Sequence, residues 1–212
     1  DESPAVAAAA PRLVGEGQEA FQLRRLPTLA ALVNEAFLVN RLWPKNRRFV
    51  SERYLDVPRE AAFDVEQPAA AALLVRRAAF AEVSGFDPSF RPAWYEDVDL
   101  CARLMEAGWR LRYVPEARVR HTGGAAMRSL AYRDFLPLFT RNLFRYLRRH
   151  ADLGVRLAAR CAVFAGTLLR LALLSVTQGE HGRGDAAAAY ARVLLGLAGL
   201  GWRTSLDRTE RS

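Results

Sequence analysis

The sequence predicts an α/β domain over residues 1–127, followed by an α-helical, membrane-associating region over residues 128–212. In the first region, short apolar runs typical of strands alternate with helical stripes, whereas in the second one helix follows another. The charge changes as well. Residues 1–100 carry 12 basic and 15 acidic side chains, and residues 101–212 carry 19 and 8. We therefore expect two regions with different surroundings.

The composition excludes several classes of protein. A chain of 212 residues with 51% hydrophobic residues can bury a core, so it is not a collagen, a disulfide-stapled mini-protein or a disordered chain. The two cysteines, Cys101 and Cys161, have apolar neighbours and are interpreted as buried side chains in a reducing compartment. Because the chain begins at Asp1 without Met or a signal peptide, we expect a fragment or a processed piece.

The first elements follow from apolar runs and breakers. Residues 7–14 predict a strand, and Thr28 is a candidate N-cap for a helix over 29–42 whose apolar residues share one face. The charged stretch 44–67 is predicted to be a loop. The apolar run 69–75 predicts a buried strand.

The middle of the sequence carries the clearest pattern. A short helix around residues 80–83 should end at Gly85, and a turn follows. A helical stripe begins at Asp97, with carboxylates in the first turn where the helix dipole favours them, and Gly108 should end it. Alternating residues then predict two strands, 109–113 and 117–121, separated by Pro115.

The last region predicts three helices, of which the first is amphipathic and basic. Its arginines lie opposite an apolar stripe, a pattern typical of helices on a membrane surface. These arginines are Arg141, Arg145, Arg148 and Arg149. The second helix, over 153–176, is long and apolar but carries three arginines, each costing roughly 2.5–3.5 kcal/mol at a bilayer centre, so we expect no spanning helix. The third covers 186–202.

Three side chains are candidates for chemistry. Glu96 and Asp97 follow a loop and open a helix, where a carboxylate can accept a proton from a bound hydroxyl. His121 ends a strand before two glycines and can reach a metal or a phosphate. Taken alone, an acidic pair of this kind is more often a solvated helix cap, and such a histidine is more often a surface or satisfied side chain. Trp94 fits either a sugar platform or packing.

Five motifs occur in the order in which they follow one another in the C-terminal half of a family 2 glycosyltransferase. In this the chain resembles the bacterial rhamnosyl- or galactofuranosyltransferase type. The motifs are Ala71-Ala72-Leu73-Leu74-Val75-Arg76-Arg77, Gly85-Phe86-Asp87, Trp94-Tyr95-Glu96-Asp97-Val98-Asp99-Leu100-Cys101, Ala107-Gly108-Trp109 with Tyr113-Val114-Pro115, and His121-Thr122-Gly123-Gly124. The resemblance implies a GT-A, Rossmann-like fold. Residues 1–127 would be its acceptor-side half, with the nucleotide-binding half apparently missing upstream.

The resemblance also implies roles for residues. Asp97 would be the general base of an inverting transfer from a nucleotide-diphosphate sugar to a hydroxyl of a cell-envelope glycan or glycolipid. Glu96 would hold the acceptor or orient the base, Trp94 would contact a sugar, and His121 would complete a Mg²⁺ or Mn²⁺ site. The family's Asp-x-Asp metal ligands are not in this chain, because Asp97-Val98-Asp99 belongs to the acidic-pair motif and Asp99 is interpreted as a first-turn carboxylate. We expect the piece alone to be inactive.

Two functions from different classes remain open at this stage. The first is a glycosyltransferase, peripheral on the cytoplasmic face of the plasma membrane, whose arginines 141, 145, 148 and 149 contact anionic lipid. The alternative is a non-catalytic, transferase-like fragment that binds a membrane or a partner protein. Nucleic acid is not an expected partner, because the aromatic residues lie on the apolar stripe rather than among the arginines.

Overall fold

The contacts within the chain divide it into two compact units. A computed structural model describes residues 5–15, 22–122, 130–174 and 182–202. The first unit comprises residues 1–27 and 44–123, and the second comprises 28–43 and 124–212. The division predicted at residue 127 had grouped residues 28–43 with the front region, whereas their contacts group them with the helices.

The first unit is a mixed α/β structure, as predicted. Its strands are β1 (Val6–Val14), β2 (Leu23–Arg24), β3 (Phe63–Asp64), β4 (Gln67–Pro68), β5 (Leu74–Val75) and β6 (Arg110–Arg120). The larger sheet has the order β3-β6-β1-β5, in which β1 and β6 are parallel and the other pairs are antiparallel. β2 and β4 form a separate antiparallel pair. A sheet with parallel strands flanked by helices fits a GT-A-like domain.

The prediction of two strands on either side of Pro115 is wrong, because β6 is continuous. Along its pairing with β1, Pro11 is opposite Val114 but Arg12 is opposite Arg118, so the register shifts there by three residues. Pro115 lies in this irregularity, where its missing N–H interrupts no ladder hydrogen bond. Because of this bulge, β6 continues as one strand on both sides of Pro115.

The predicted loop 44–67 and strand 69–75 also differ from the structure. A helix, α3 (Arg47–Glu52), forms because the side chain of Asn46 accepts a hydrogen bond from the N–H of Phe49 at 2.9 Å. Two short strands, β3 and β4, complete the region. The apolar run 69–75 is a strand only at β5, where it pairs with Ala8 and Ala9 of β1.

The remaining helices of the first unit bring the acidic pair against the core. These are α4 (Arg77–Glu82), a 3₁₀ turn (Pro88–Phe90) and α5 (Glu96–Glu106). Leu100 and Leu104 of α5 are fully buried with Leu111 and Tyr113 of β6. The apolar stripe predicted for α5 therefore attaches the helix to the sheet, and this packing fixes where the helix begins.

The second unit is helical, as predicted. Its helices are α1 (Leu29–Ala36), α2 (Val39–Leu42), α6 (Tyr132–His150), α7 (Leu153–Leu173) and α8 (Arg183–Leu197). Thr28 caps α1, since its side chain accepts from the N–H of Ala31 at 3.2 Å. The single helix predicted over 29–42 is broken at Leu38, whose φ is +60°. None of the described helices is long and apolar enough to cross a membrane.

The two cysteines have different environments. Cys101 of α5 is buried, as predicted, and its burial raises the pKa of the thiol well above the usual range. Cys161 of α7 is exposed, so the prediction that it is buried is wrong. Its apolar neighbours in sequence do not bury it, because α7 turns that side outward.

Candidate active site

The acidic pair is reached through a strained stretch of backbone. Trp94 and Tyr95, directly before α5, have φ angles of +70° and +72°. Side chains with a Cβ rarely adopt this left-handed region, and each such residue costs on the order of 1–3 kcal/mol. Tyr95 is buried, and its carbonyl accepts the N–H of Asp99 at 2.9 Å. The strained turn thus leads directly into α5, which begins at Glu96.

Asp97 is held by donors from outside its own helix. Its Oδ2 accepts from the backbone N–H of Ala70 at 3.3 Å and from Nε2 of Gln67 at 3.4 Å, and its Oδ1 accepts from the N–H of Val98 at 2.8 Å. A carboxylate has about four acceptor positions. Three donors fix the orientation of Asp97 and leave capacity for a ligand.

The pKa of Asp97 is raised from its ordinary value. Burial is the main cause, because it disfavours the charged form. The hydrogen bonds from the N–H groups of Ala70 and Val98 and the positive charge of Arg24 act in the opposite direction. A carboxylate that is costly to ionise yet held by donors suits a general base.

Glu96 lies beside this carboxylate with one oxygen unsatisfied. Its Oε2 is buried, and no hydrogen-bond partner for it occurs among the described residues. Burial raises the pKa of Glu96, and the neighbouring charge of Asp97 raises it further. A buried oxygen without a partner costs free energy, so the site gains when a ligand supplies a donor.

Asp99, two residues further on, is a structural group. Its side chain is fully buried and forms an ion pair with Nε of Arg103 at 2.7 Å. Arg103 also donates to the carbonyls of Val83 and Gly85, the latter at 2.7 Å. Asp99 is thus more than the first-turn carboxylate of the sequence interpretation. Through Arg103 it ties α5 to the turn after α4.

The structure joins Trp94, Glu96 and Asp97 at the start of α5, but it gathers no metal site. Trp94 is half-buried, and its role as a sugar platform stays a prediction. His121 is half-buried beyond the end of β6, where its backbone N–H donates to the carbonyl of Val14 at 3.1 Å. Within the described ranges, no three His, Cys, Asp or Glu side chains lie close enough to hold an ion. The described residues therefore do not fit a complete metal site, and His121 as a ligand stays a prediction.

Two residues near Asp97 were missed by sequence analysis. Gln67 and Arg24 are opposite each other in the β2–β4 pair, and both act on Asp97, Gln67 by a hydrogen bond and Arg24 by its charge. Neither belongs to the motifs of the acidic pair. Only the pairing of strands distant in sequence brings them to the helix.

The arginines predicted to contact lipid do not form one solvated face. Arg141 and Arg145 are half-buried, and both donate to Oδ1 of Asn142, which is itself buried. Arg148 and Arg149 are exposed near the end of α6. Two of the four arginines are therefore less accessible than the other two, and contact with lipid stays a prediction.

Comparison with known proteins identifies relatives of this chain. The family model described as glycosyl transferase family group 2 matches residues 67–201. The rhamnosyltransferase WbbL of Escherichia coli (strain K12) is 36% identical over 103 residues, which cover 47% of this chain and 38% of that protein. An N-acetylglucosaminyl-diphospho-decaprenol L-rhamnosyltransferase of Mycobacterium tuberculosis (strain ATCC 25618 / H37Rv) is 38% identical over 102 residues, 46% of this chain and 31% of that protein.

A third relative belongs to another glycosyltransferase type. The pre-mycofactocin glycosyltransferase of Mycobacterium tuberculosis (strain ATCC 25618 / H37Rv) is 34% identical over 126 residues, 59% of this chain and 24% of that protein. The chain thus spans between about a quarter and two fifths of the length of these relatives. No solved structure gives a significant match.

Proposed function

Because this chain belongs to glycosyl transferase family group 2, we propose that it forms the acceptor-side part of an inverting glycosyltransferase. The donor is a nucleotide-diphosphate sugar, and the acceptor is a hydroxyl of a cell-envelope glycan or a lipid-linked glycan. The names of two relatives support a rhamnosyl-type donor, and one of them names a diphospho-decaprenol-linked sugar as acceptor.

The environment of Asp97 carries this proposal. Donors from the segment 67–70 and from Val98 of its own helix hold the carboxylate at the start of a buried helix, and these three hydrogen bonds leave acceptor capacity. An oriented carboxylate with free acceptor capacity can take a proton from a hydroxyl placed within hydrogen-bond reach. This is the task of the base in an inverting transfer.

The proposed step is a single displacement. The acceptor oxygen forms a bond to the anomeric carbon while its proton passes to Asp97, and the bond from that carbon to the diphosphate oxygen breaks on the opposite face. The electron pair leaves with the nucleoside diphosphate. Glu96 contributes its unsatisfied Oε2, which accepts a hydrogen bond from a second acceptor hydroxyl, and Trp94 offers an aromatic surface to the sugar.

A divalent metal and a membrane complete the expected setting. Family 2 enzymes generally use a divalent cation, Mg²⁺ or Mn²⁺ here, to which His121 can offer one nitrogen. Since the described residues do not form a full set of ligands, we derive no step through the ion. A lipid-linked acceptor is consistent with a peripheral position on the cytoplasmic face of the plasma membrane.

The test is Asp97→Asn in the intact protein. Loss of a general base should lower kcat/KM for transfer by about 10²–10⁴-fold, because the amide keeps the size of the side chain and one accepting oxygen but cannot take the proton. Asp64→Asn is the matched control, since Asp64 is an exposed partner of Arg110 and Arg112 away from α5. Equal transfer by Asp97→Asn and wild type would show that another residue is the base.

A further inference from the structure

Helix α7 turns an apolar face outward. Its exposed large side chains follow one another at intervals of three or four residues, so they form one stripe along the helix. This outer face consists of Leu153, Leu157, Cys161, Phe164 and Leu168. The exposed fractions of its three leucines are 60%, 55% and 45%. The stripe runs about 22 Å along the helix axis.

The side of α7 that faces its own unit consists mainly of small residues, of which Ala159, Ala162, Gly166 and Thr167 are buried. Arg170 donates to the carbonyls of Glu35 and Ala36 at the end of α1, and Thr167 is buried. Gly166 lies so close to Ala36 that an added Cβ would clash with its carbonyl oxygen. The usual surface helix buries its apolar stripe and exposes polar residues. In α7 the large apolar side chains are exposed and small residues pack inward, which indicates that the outer face is an interaction surface.

Positive charge lies next to this face. Within α7, all of whose residues the structure describes, Arg160 is the one charged residue at an exposed position, and one nitrogen of its guanidinium group donates to the carbonyl of Leu197. Arg148 and Arg149 are exposed shortly before α7 begins. An apolar stripe bordered by arginines matches an anionic lipid surface, which offers acyl chains for the leucines and phosphates for the guanidinium groups.

We propose that the outer face of α7 lies on an anionic lipid bilayer, parallel to its plane, with Leu157, Phe164 and Leu168 in the boundary between headgroups and acyl chains. This inference deepens the proposed function, because it names the surface that meets the membrane holding a lipid-linked acceptor. It replaces the face of α6 as the apolar contact, since Arg141 and Arg145 are half-buried. Arg148 and Arg149 keep an electrostatic role.

A symmetric dimer through the outer face is the less favoured arrangement. A two-fold interface brings the same patch of both copies together, so Arg160, which lies midway along the stripe, approaches its own counterpart when the axis passes through the middle of the stripe. Like charges at close range oppose association. A lipid surface has no such conflict, because its headgroups carry the opposite charge.

The first experiment measures sedimentation with vesicles of phosphatidylcholine containing about one quarter phosphatidylglycerol. Leu157→Ser with Leu168→Ser should weaken binding by about tenfold or more, because each serine removes the apolar area that a leucine side chain buries in the bilayer. The matched control is Leu55→Ser with Leu74→Ser, two exposed leucines of the first unit. Binding that is equal in wild type and in both double variants overturns the proposal.

The second experiment places a probe on the outer face itself. Cys161 is exposed and Cys101 is fully buried, so a thiol-reactive environment-sensitive dye should label Cys161 in the folded chain. Bound vesicles should shift its emission to the blue, and spin-labelled acyl chains should quench it. A dye that stays in water while the protein sediments with the vesicles would assign binding to another face and overturn the proposal.

Neither experiment needs sugar transfer, so each separates the membrane face from the catalytic proposal. If Leu157→Ser with Leu168→Ser loses vesicle binding but still transfers sugar to a soluble acceptor, the result supports the outer face as the membrane contact. The proposal that Asp97 is the general base is then unaffected. Sedimentation velocity without lipid tests the remaining alternative. A wild-type dimer that Leu157→Ser with Leu168→Ser converts to a monomer would assign the outer face to a second copy and overturn the lipid proposal.

Discussion

Two carboxylates on opposite sides of α5 differ in how completely they are satisfied. Asp99 is fully buried and has a short ion pair with Arg103, which also binds two carbonyls of the preceding turn. Asp97, on the other side, has longer contacts with Gln67 and Ala70, and its neighbour Glu96 has a buried oxygen without a described partner. The same helix thus carries one carboxylate that is fully paired, Asp99, and one acidic pair that can still accept hydrogen bonds, Glu96 and Asp97.

The difference separates a structural role from a binding role. A buried charge with full pairing contributes a fixed geometry, and nothing further can bind to it without breaking the pair. An acidic pair with open acceptor positions and raised pKa values can gain hydrogen bonds when a ligand binds. The strained turn at Trp94 and Tyr95 leads directly to Glu96 and Asp97. These features together favour the start of α5 as the reacting centre.

The largest effect on stability should come from replacing Asp99. Asp99→Asn leaves the guanidinium of Arg103 buried without its charge partner, and we expect the free energy of unfolding to fall by about 3–5 kcal/mol. Urea denaturation measures the change. Asp64→Asn, which removes only exposed ion pairs, should cost less than about 1 kcal/mol. Equal losses in the two variants would contradict the contrast between the sides of α5.

Asp97→Asn should leave stability near the wild-type value at pH 7. Because the pKa of Asp97 is raised in the folded state, its protonated form stabilises the fold below the unfolded pKa of about 3.9, and this contribution is lost as the pH rises through the folded pKa. At pH 7 the neutral amide avoids the cost of burying a charge but loses the hydrogen bond at one of the two oxygens, so the effects oppose each other and we expect a change within about 1 kcal/mol.

The pH dependence of that difference is the measurement. Thermal unfolding of wild type and Asp97→Asn should show a difference in stability that favours the amide more at pH 7 than near pH 4. An advantage that grows as the pH falls would mean that the pKa of Asp97 is lowered in the fold, contrary to its burial.

The smallest effect should come from the charge of Arg24. Removing it in Arg24→Gln eliminates an interaction that favours the ionised form of Asp97, so the acid limb of the pH–rate profile should move to higher pH by less than about one unit. Arg25→Gln is the matched control, because Arg25 binds Glu66 at 2.7 Å and stacks on Tyr54. An acid limb that moves equally in both variants would indicate a general loss of structure instead.

Local patterns in the sequence were sufficient for the elements that depend on neighbouring residues. The apolar spacing of α5, the acidic pair at its start and the cap at Thr28 are set by residues within one or two helical turns, and the structure has all three. The five motifs were sufficient for the family. Side-chain spacing and capping chemistry act over short distances, so a single sequence carries them.

Contacts between distant residues were decided only by the tertiary structure. Gln67 and Arg24 reach Asp97 because two short strands pair, and β6 passes through Pro115 because its parallel partner accommodates a bulge. The outward turn of the apolar face of α7 depends on Arg170 and Gly166 docking against α1. Hydrophobic periodicity shows that a helix has an apolar side, but only packing against the rest of the chain decides whether that side is buried or exposed.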